Sequence, residues 1–322
     1  MRVNFIVEDF GAFKYLGCAT AAKNLYNGLQ SKIDVEWNEK TYDFDIAHFH
    51  TFGPSSMLYA KRFKGTKIIT AHSTPNLNLQ NIALPFLINW LYKPLYNRFD
   101  HIIAVSNKCK RELLEEMKIK KDITVIYNGI DTKAFKPDKG KRKTFREKYG
   151  IEGDKILVLT VAQRTPRKGI YDFLETAKRF PNIIFIWIGG FPYGGFSKEY
   201  LKIKRAIEKR SSNAIFPGFI EDIAEAYSAA DVFFMPSYAE GHSIVMLEAL
   251  SMGLPMIARD IEEYHEAFGD NLIYFKDLND ITENDFDKKM LDEYRRKTKV
   301  VERFDIEKTA TEHIKLYEQL TS

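Results

Sequence analysis

Apolar positions along the chain fall into two series of short runs. Val3–Val7, Asp45–Phe49, Lys67–Thr70, His101–Ser106 and Ile123–Tyr127 read as strands, with helical periodicity at Ala19–Leu29 and Lys108–Met117. A second series opens at Ile156–Val161 and continues through Ile183–Ile188, Ala214–Phe219, Val232–Met235 and Met256–Ala258. Between these runs, helices are predicted from about Ile170, over 198–210, and from about Asp222 to Ala230. The near-continuous apolar character of runs such as Ile156–Val161 suits parallel strands buried on both faces. Alternating strands and helices in two blocks predict an α/β protein built from two Rossmann-like domains, the first ending near residue 130. Residues 131–150 contain Pro137, Gly140 and many Lys and Arg, and read as a solvated linker leading into a helix. The final helix, Ile306–Leu320, places Ala310, Ile314, Leu316 and Leu320 where one face can be buried.

The most informative stretch is Pro236–Pro255, PSYAEGHSIVMLEALSMGLP. It follows the strand Val232–Met235 as a turn containing Pro236, Ser237 and Gly241, then opens into a helix from about Ser243 that Gly253 and Pro255 stop. The unpaired amides at such a helix start, and the positive end of its dipole, favour a phosphate above the strand ends. Glu240 and Glu248 flank that point. Carboxylates repel phosphate, so their natural partners are hydroxyls, such as those of a ribose and a hexose on the same phosphates. The pattern suggests a sugar nucleotide; the alternative is a solvated loop residue and a helix-face charge.

Other positions carry compatible chemistry. Arg164, Arg167 and Lys168 lie in the loop AQRTPRKG, where cations can meet a diphosphate, although a solvated cationic loop is the plain alternative. His72 stands at the carboxyl end of a strand, the ligand side of a parallel sheet. His48 and His50 read as packed or turn-capping histidines. The first loop, with Gly11 and Gly17, lacks the GxGxxG spacing of dinucleotide-binding proteins. The segment Leu77–Phe99 is rich in aromatic residues and interrupted by Pro85 and Pro94; it reads either as a buried helix or as a membrane-interface segment.

Composition narrows the field. A chain of 322 residues, 45% hydrophobic and 29% charged, has room for two ordinary globular domains. A net charge of +4 tolerates phosphates or an anionic membrane but does not require a nucleic acid partner. Cys18 and Cys109 are far apart and lack metal-ligand spacing, which points to a reducing cytoplasm with neither a disulfide framework nor a zinc site. The chain opens on a strand rather than a signal segment, and no apolar run approaches the roughly 20 residues of a spanning helix.

The arrangement PSxxEGxxxxxLEAxxxGxP resembles the signature of retaining glycosyltransferases of family 4. Gly17, TAHSTP, AVS at 104–106, YNGID at 127–131 and PRKG at 166–169 match that family in the expected order. The stretches AHFHTFGPSSMLYAKR, RKGIYDFLETAKRFPNIIFIWIG and IFPGFIEDI are similar to those of diacylglycerol glycosyltransferases, which make glycolipids. The resemblance implies the GT-B fold: an acceptor domain over 1–130, a donor domain over 131–305, and a C-terminal helix, 306–322, crossing back to the first domain. It further implies transfer of a hexose, from UDP-glucose or UDP-galactose, to a lipid such as diacylglycerol or a glycolipid, at the inner face of the membrane. A soluble sugar, sugar phosphate or polysaccharide precursor is the alternative acceptor, and non-catalytic sugar-nucleotide binding a further one. Carried onto this chain, His72, Lys168 and Glu240 are the expected catalytic residues. Gly17 faces the diphosphate, a plain turn glycine being the alternative, with Arg164 or Arg167 beside Lys168. Phe219 and Ile220 lie at the nucleobase, His242, Ser243, Ile244 and Val245 border the donor, and Glu248 binds the ribose. Gln163 stands where many members carry arginine. No metal or other cofactor is expected, since the family works without an Asp-x-Asp metal site. Oligomeric state is not legible.

Overall fold

In the computed structural model, which describes residues 1–8, 17–51, 53–72, 74, 92–191 and 194–322, the two series of apolar runs form two parallel sheets. The first contains β1 (Arg2–Ile6), β2 (Asp34–Trp37), β3 (Ile46–Phe49), β4 (Thr66–Ala71), β5 (His101–Ala104) and β6 (Ile123–Val125), ordered β2-β1-β3-β4-β5-β6. The second contains β7 (Leu157–Val161), β8 (Ile184–Ile188), β9 (Ala214–Gly218), β10 (Val232–Met235), β11 (Met256–Arg259) and β12 (Ile273–Phe275), ordered β12-β11-β10-β7-β8-β9. Helices α1 (Gly17–Leu29), α2 (Pro54–Arg62) and α3 (Asn107–Arg111) accompany the first sheet. The second has α4 (Lys139–Lys148), α5 (Ile170–Arg179), α6 (Tyr200–Glu208), α7 (Ile223–Ala229), α8 (Ile244–Ser251), α9 (Glu262–Phe268) and α10 (Lys288–Lys297). The last helix is α11 (Ile306–Thr321).

Both sheets are covered on both faces, as their apolar strands require. Phe5, Ile46, Ile68 and Ile103 face one core of the first sheet, while Ala47, Phe49, Ile69 and Ile102 face the other. Leu157 and Leu159 of β7 point to one side of the second sheet, and Val158 to the opposite side. Residues 77–91 of the aromatic segment lie outside the described residues; beyond them, Tyr92, Tyr96 and Phe99 are buried in the first sheet's core. Cys18 and Cys109 are free thiols. Among the described residues no helix is long and apolar enough to cross a membrane.

The cationic linker differs from its reading as merely solvated. Arg146 is buried, donating to the carbonyls of Ala229 (3.1 Å), Glu152 (2.7 Å) and Lys155 (2.5 Å). Arg142 bonds Ala229 O at 2.7 Å and Asp231 at 2.8 Å. Its cations satisfy the carbonyls left open at the end of α7, a role composition does not reveal.

The chain passes between the two sheets twice, side by side, through a bridge between Ile130 and Asp305. Helix α11 then packs on α1, burying Ala310, Leu316 and Tyr317 in the first sheet's core with Leu25 and Leu29. A second junction forms where α9 meets the start of α3. Glu266 accepts from the amides of Asn107 (2.6 Å) and Lys108 (3.3 Å) and from Tyr127 Oη (2.7 Å). Glu263 pairs with Lys108 Nζ at 2.8 Å.

Candidate functional site

In the second sheet the chain leaves β7 toward β8 and leaves β10 in the opposite direction, toward β11. The crevice beyond the carboxyl ends of β7 and β10 is therefore a topological switch point, where open parallel sheets bind ligands. The two loops that rise there are AQRTPRKG and PSYAEGHS.

These loops are in contact. Gly169, at φ 74°, adopts a left-handed conformation, and a side-chain carbon there would come within 2.3 Å of Pro236 O. Tyr238 N donates to Arg167 O at 2.8 Å. The contact brings Lys168 Nζ to 2.5 Å from Glu240 Oε1 and Arg167 Nη1 to 3.5 Å from Glu240 Oε2. Burial alone would raise the Glu240 pKa, but Lys168 and Arg167 together hold it below the ordinary carboxylate value. Burial lowers the Lys168 pKa to about 8 against the opposing pull of Glu240, so the ammonium is still charged at neutral pH. Ser243 is the N-cap of α8 and makes no side-chain bond to its helix. The first amides of α8, including those of Ile244 and Val245, thus open beside this charged pair. One turn on, Glu248 accepts from Tyr227 Oη at 2.7 Å, while burial raises its pKa to about 7.

The first sheet supplies the other wall. His72 follows β4 directly, and a side-chain carbon at Gly241 would come within 3.2 Å of His72 O, so the loop carrying Glu240 runs against the histidine's backbone. His72 Nε2 lies 3.1 Å from His50 Nδ1. Burial, then His313, lower the His72 pKa to about 3, which leaves a neutral imidazole at physiological pH. His48 has the packed role expected of it, bonded to Tyr317 Oη (2.6 Å) and Thr70 Oγ1 (2.7 Å). His50, His72, Asn128, Gly129 and His313 line a small cavity beside this chain of rings.

The other expected positions are less uniform. Arg164 points away from Glu240 and stacks over Phe191 (5.9 Å) and Phe216 (5.4 Å), leaving Arg167 as the second cation near the carboxylate. The ring of His242 is buried among Tyr127, Phe268 and Phe304, with both ring nitrogens unbonded among the described residues. That aromatic surround draws the ring into the junction, so at this position the backbone borders the crevice: Asn128 Nδ2 donates to His242 O at 2.9 Å. Phe219 is 58% exposed and lies against Gly190, while Ile220 is half-buried on the second core. Gly17 is the exposed first residue of α1, a helix that touches α8; residues 9–16 of its loop lie outside the described residues. Sequence reading missed Tyr227 and Glu263, whose carboxylate accepts from Glu240 N at 3.3 Å, and quoted Asn128 within YNGID without giving it a role. Tyr227 reads as a core aromatic on an amphipathic helix, and Glu263 gives no local signal.

Residues 141–283 match the family model for glycosyl transferases group 1, and residues 19–134 match that for glycosyltransferase family 4. The chain is 31% identical over 229 residues to alpha-galactosylglucosyldiacylglycerol synthase of Streptococcus pneumoniae, a match covering 68% of this chain and 61% of that protein's length. It is 29% identical over 275 residues to processive diacylglycerol alpha-glucosyltransferase of Acholeplasma laidlawii, covering 83% of this chain and 81% of that one. HepE of Anabaena, solved in complex with UDP-glucose, superposes with a TM-score of 0.79 at 16% identity, over 98% of this chain and 99% of HepE. That likeness identifies the two-sheet architecture as the GT-B fold. Matched in chain order across both of its sheets, the chain belongs to the glycosyltransferases of group 1 and family 4.

Proposed function

We propose that the protein transfers a hexose from a nucleoside diphosphate sugar to the hydroxyl of a lipid acceptor, diacylglycerol or a glycolipid, with retention at the anomeric carbon. The observation that carries this reading is the Lys168–Glu240–Arg167 cluster beside the amide end of α8 at the switch point. Two buried cations and a helix start suit a diphosphate, and a carboxylate held ionised between them suits sugar hydroxyls. UDP-glucose and UDP-galactose are the preferred donors. The names of the pneumococcal and Acholeplasma relatives support a diacylglycerol-based acceptor. A soluble sugar or polysaccharide precursor is the second reading.

In the reaction the acceptor oxygen bonds to the anomeric carbon as the bond from that carbon to the phosphate oxygen breaks. The departing phosphate oxygen takes the acceptor's proton, so attack and departure share one face. Lys168 and Arg167, with the amides of Ser243–Val245, stabilise the charge that develops on the diphosphate. Glu240 orients the hexose and Glu248 the ribose. Neutral His72 positions the sugar or acceptor as a hydrogen-bonding group rather than a cation. With Lys168 and Arg167 assigned to the diphosphate charge, this reading calls on no metal, and turnover is expected to persist in chelator. Lys168→Ala should lower kcat more than ten-fold, roughly the effect of losing one charge-stabilising contact. The wild-type product should be the α-anomer when made from an α-linked donor. An inverted product, or normal turnover in the variant, would sink the proposal.

A further inference from the structure

We infer that the surface around α6 is a docking face for an anionic lipid bilayer, an inference that rests on the lipid-acceptor reading and locates where the membrane would meet the donor domain. Phe196 is 85% exposed and Leu201 62% exposed, the two most exposed of the large apolar side chains among the described residues. Both lie on one segment, 196–210, which carries six cations and two carboxylates. Its net +4 equals the formal charge of the whole chain.

The helix is oriented by its other face. Ile203 is buried and Ile207 packs on the second sheet's core, so Leu201, Lys202, Lys204, Arg205, Glu208 and Lys209 face outward. Glu199 is held by Tyr171 Oη (2.7 Å) and Lys202 (3.2 Å), a pair that takes one acid and one cation out of the outward field and leaves its net charge unchanged. Lys204, Arg205 and Lys209 have no side-chain partner among the described residues. The contrast with α4 is physical: there Arg142 and Arg146 are spent on internal carbonyls, and here Arg210 is spent in the same way on the carbonyls of Ala214 and Ile207, whereas Lys204, Arg205 and Lys209 remain on the exposed face. Two apolar side chains set among uncommitted cations match the interface of an anionic bilayer, with rings and aliphatic chains below the headgroups and ammonium groups among the phosphates. Segment 196–210 follows β8, so its start lies on the same rim of the second sheet as the AQRTPRKG and PSYAEGHS loops. A bilayer held there would sit beside the crevice from which a membrane-borne acceptor must be reached.

The test is co-sedimentation of the full chain with phosphatidylcholine vesicles, with and without phosphatidylglycerol. The wild type should bind only the anionic vesicles, and less as salt rises. Lys204→Glu with Arg205→Glu should weaken binding at least about 25-fold, from roughly five-fold per cation removed. Phe196→Ser with Leu201→Ser should weaken it about ten-fold. Both variants should keep the wild-type melting temperature and turnover on a water-soluble acceptor. Variants that bind like wild type, equal binding to neutral vesicles, or a preference for RNA would each overturn the inference. The outcomes separate it from the transfer reading: glycolipid formation with unimpaired variants removes the docking face alone. Vesicle binding that the variants lose, without any glycolipid product, removes the acceptor alone.

Discussion

The most exposed chemical tension in the molecule belongs to Glu248. A carboxyl whose pKa rises from 4.5 to about 7 keeps a proton that the unfolded chain has already lost. Its contribution to stability is therefore full at low pH, falls as pH rises between those two values, and is absent above the upper one. The difference amounts to on the order of 3 kcal/mol at alkaline pH. Buried histidines act in the opposite sense. His72 and His242, at about 3, and His313, at about 4, stay neutral in the native state while the unfolded chain takes up protons below pH 6.5. Glu248→Gln should thus raise the melting temperature at pH 8 but not at pH 5, while weakening donor binding about ten-fold or more. Parallel melting curves for the two proteins across that range would show that Glu248 is not the titrating group. At this scale the sequence was readable where residue types recur at fixed spacing, as in Glu240 and Glu248. It was not readable for Arg164 and Arg167, which carry the same charge three positions apart. The turn ending at Gly169 separates them, leaving one over Phe191 and sending the other to Glu240.

Among the elements, strands with continuous apolar runs were legible, and β10 has the bounds expected of it. Strands β2 and β12 were not. DVEW alternates acidic and apolar residues over only 4 positions, and the 3 residues of β12 lie in an acidic stretch; both strands are sheet edges. Helix α4 was foreseen, but its attachment was not. The guanidinium of Arg146 joins α4, the end of α7 and the turn before β7 through three carbonyls, and it is paired at 3.4 Å with Asp231. Arg146→Ala strips the guanidinium from Asp231 and from Lys155 O, while Arg142 still holds Ala229 O and Lys155 N still donates to Glu152 O. Loss of about 2–4 kcal/mol is expected, seen as a lower denaturant midpoint with an unchanged slope. A change below about 0.5 kcal/mol would mean that water replaces the guanidinium at no cost.

In the whole molecule, two sheets hold the site between them, and the junctions that align them come from residues remote in sequence. The crossing of α11 was legible from its apolar face and family likeness. The α9–α3 junction was not, because a surface glutamate gives no sign that it will cap a helix 159 residues away. Glu266 holds two amides and Tyr127, and neighbouring Glu263 reaches Glu240 N, so this junction links domain alignment to the charged loop. Glu266→Ala should raise the donor KM about five-fold or more, for loss of at least ~1 kcal/mol of alignment, with kcat at saturation nearly unchanged. A reduced kcat with unchanged KM would place the junction's effect elsewhere. The central claim is tested most directly by measuring nucleoside diphosphate release from UDP-glucose, UDP-galactose and GDP-mannose in chelator, with and without diacylglycerol vesicles. Release from a UDP-hexose that rises with vesicles and leaves a glycolipid is the expected result; the absence of both donor binding and release for all three sugars would contradict it.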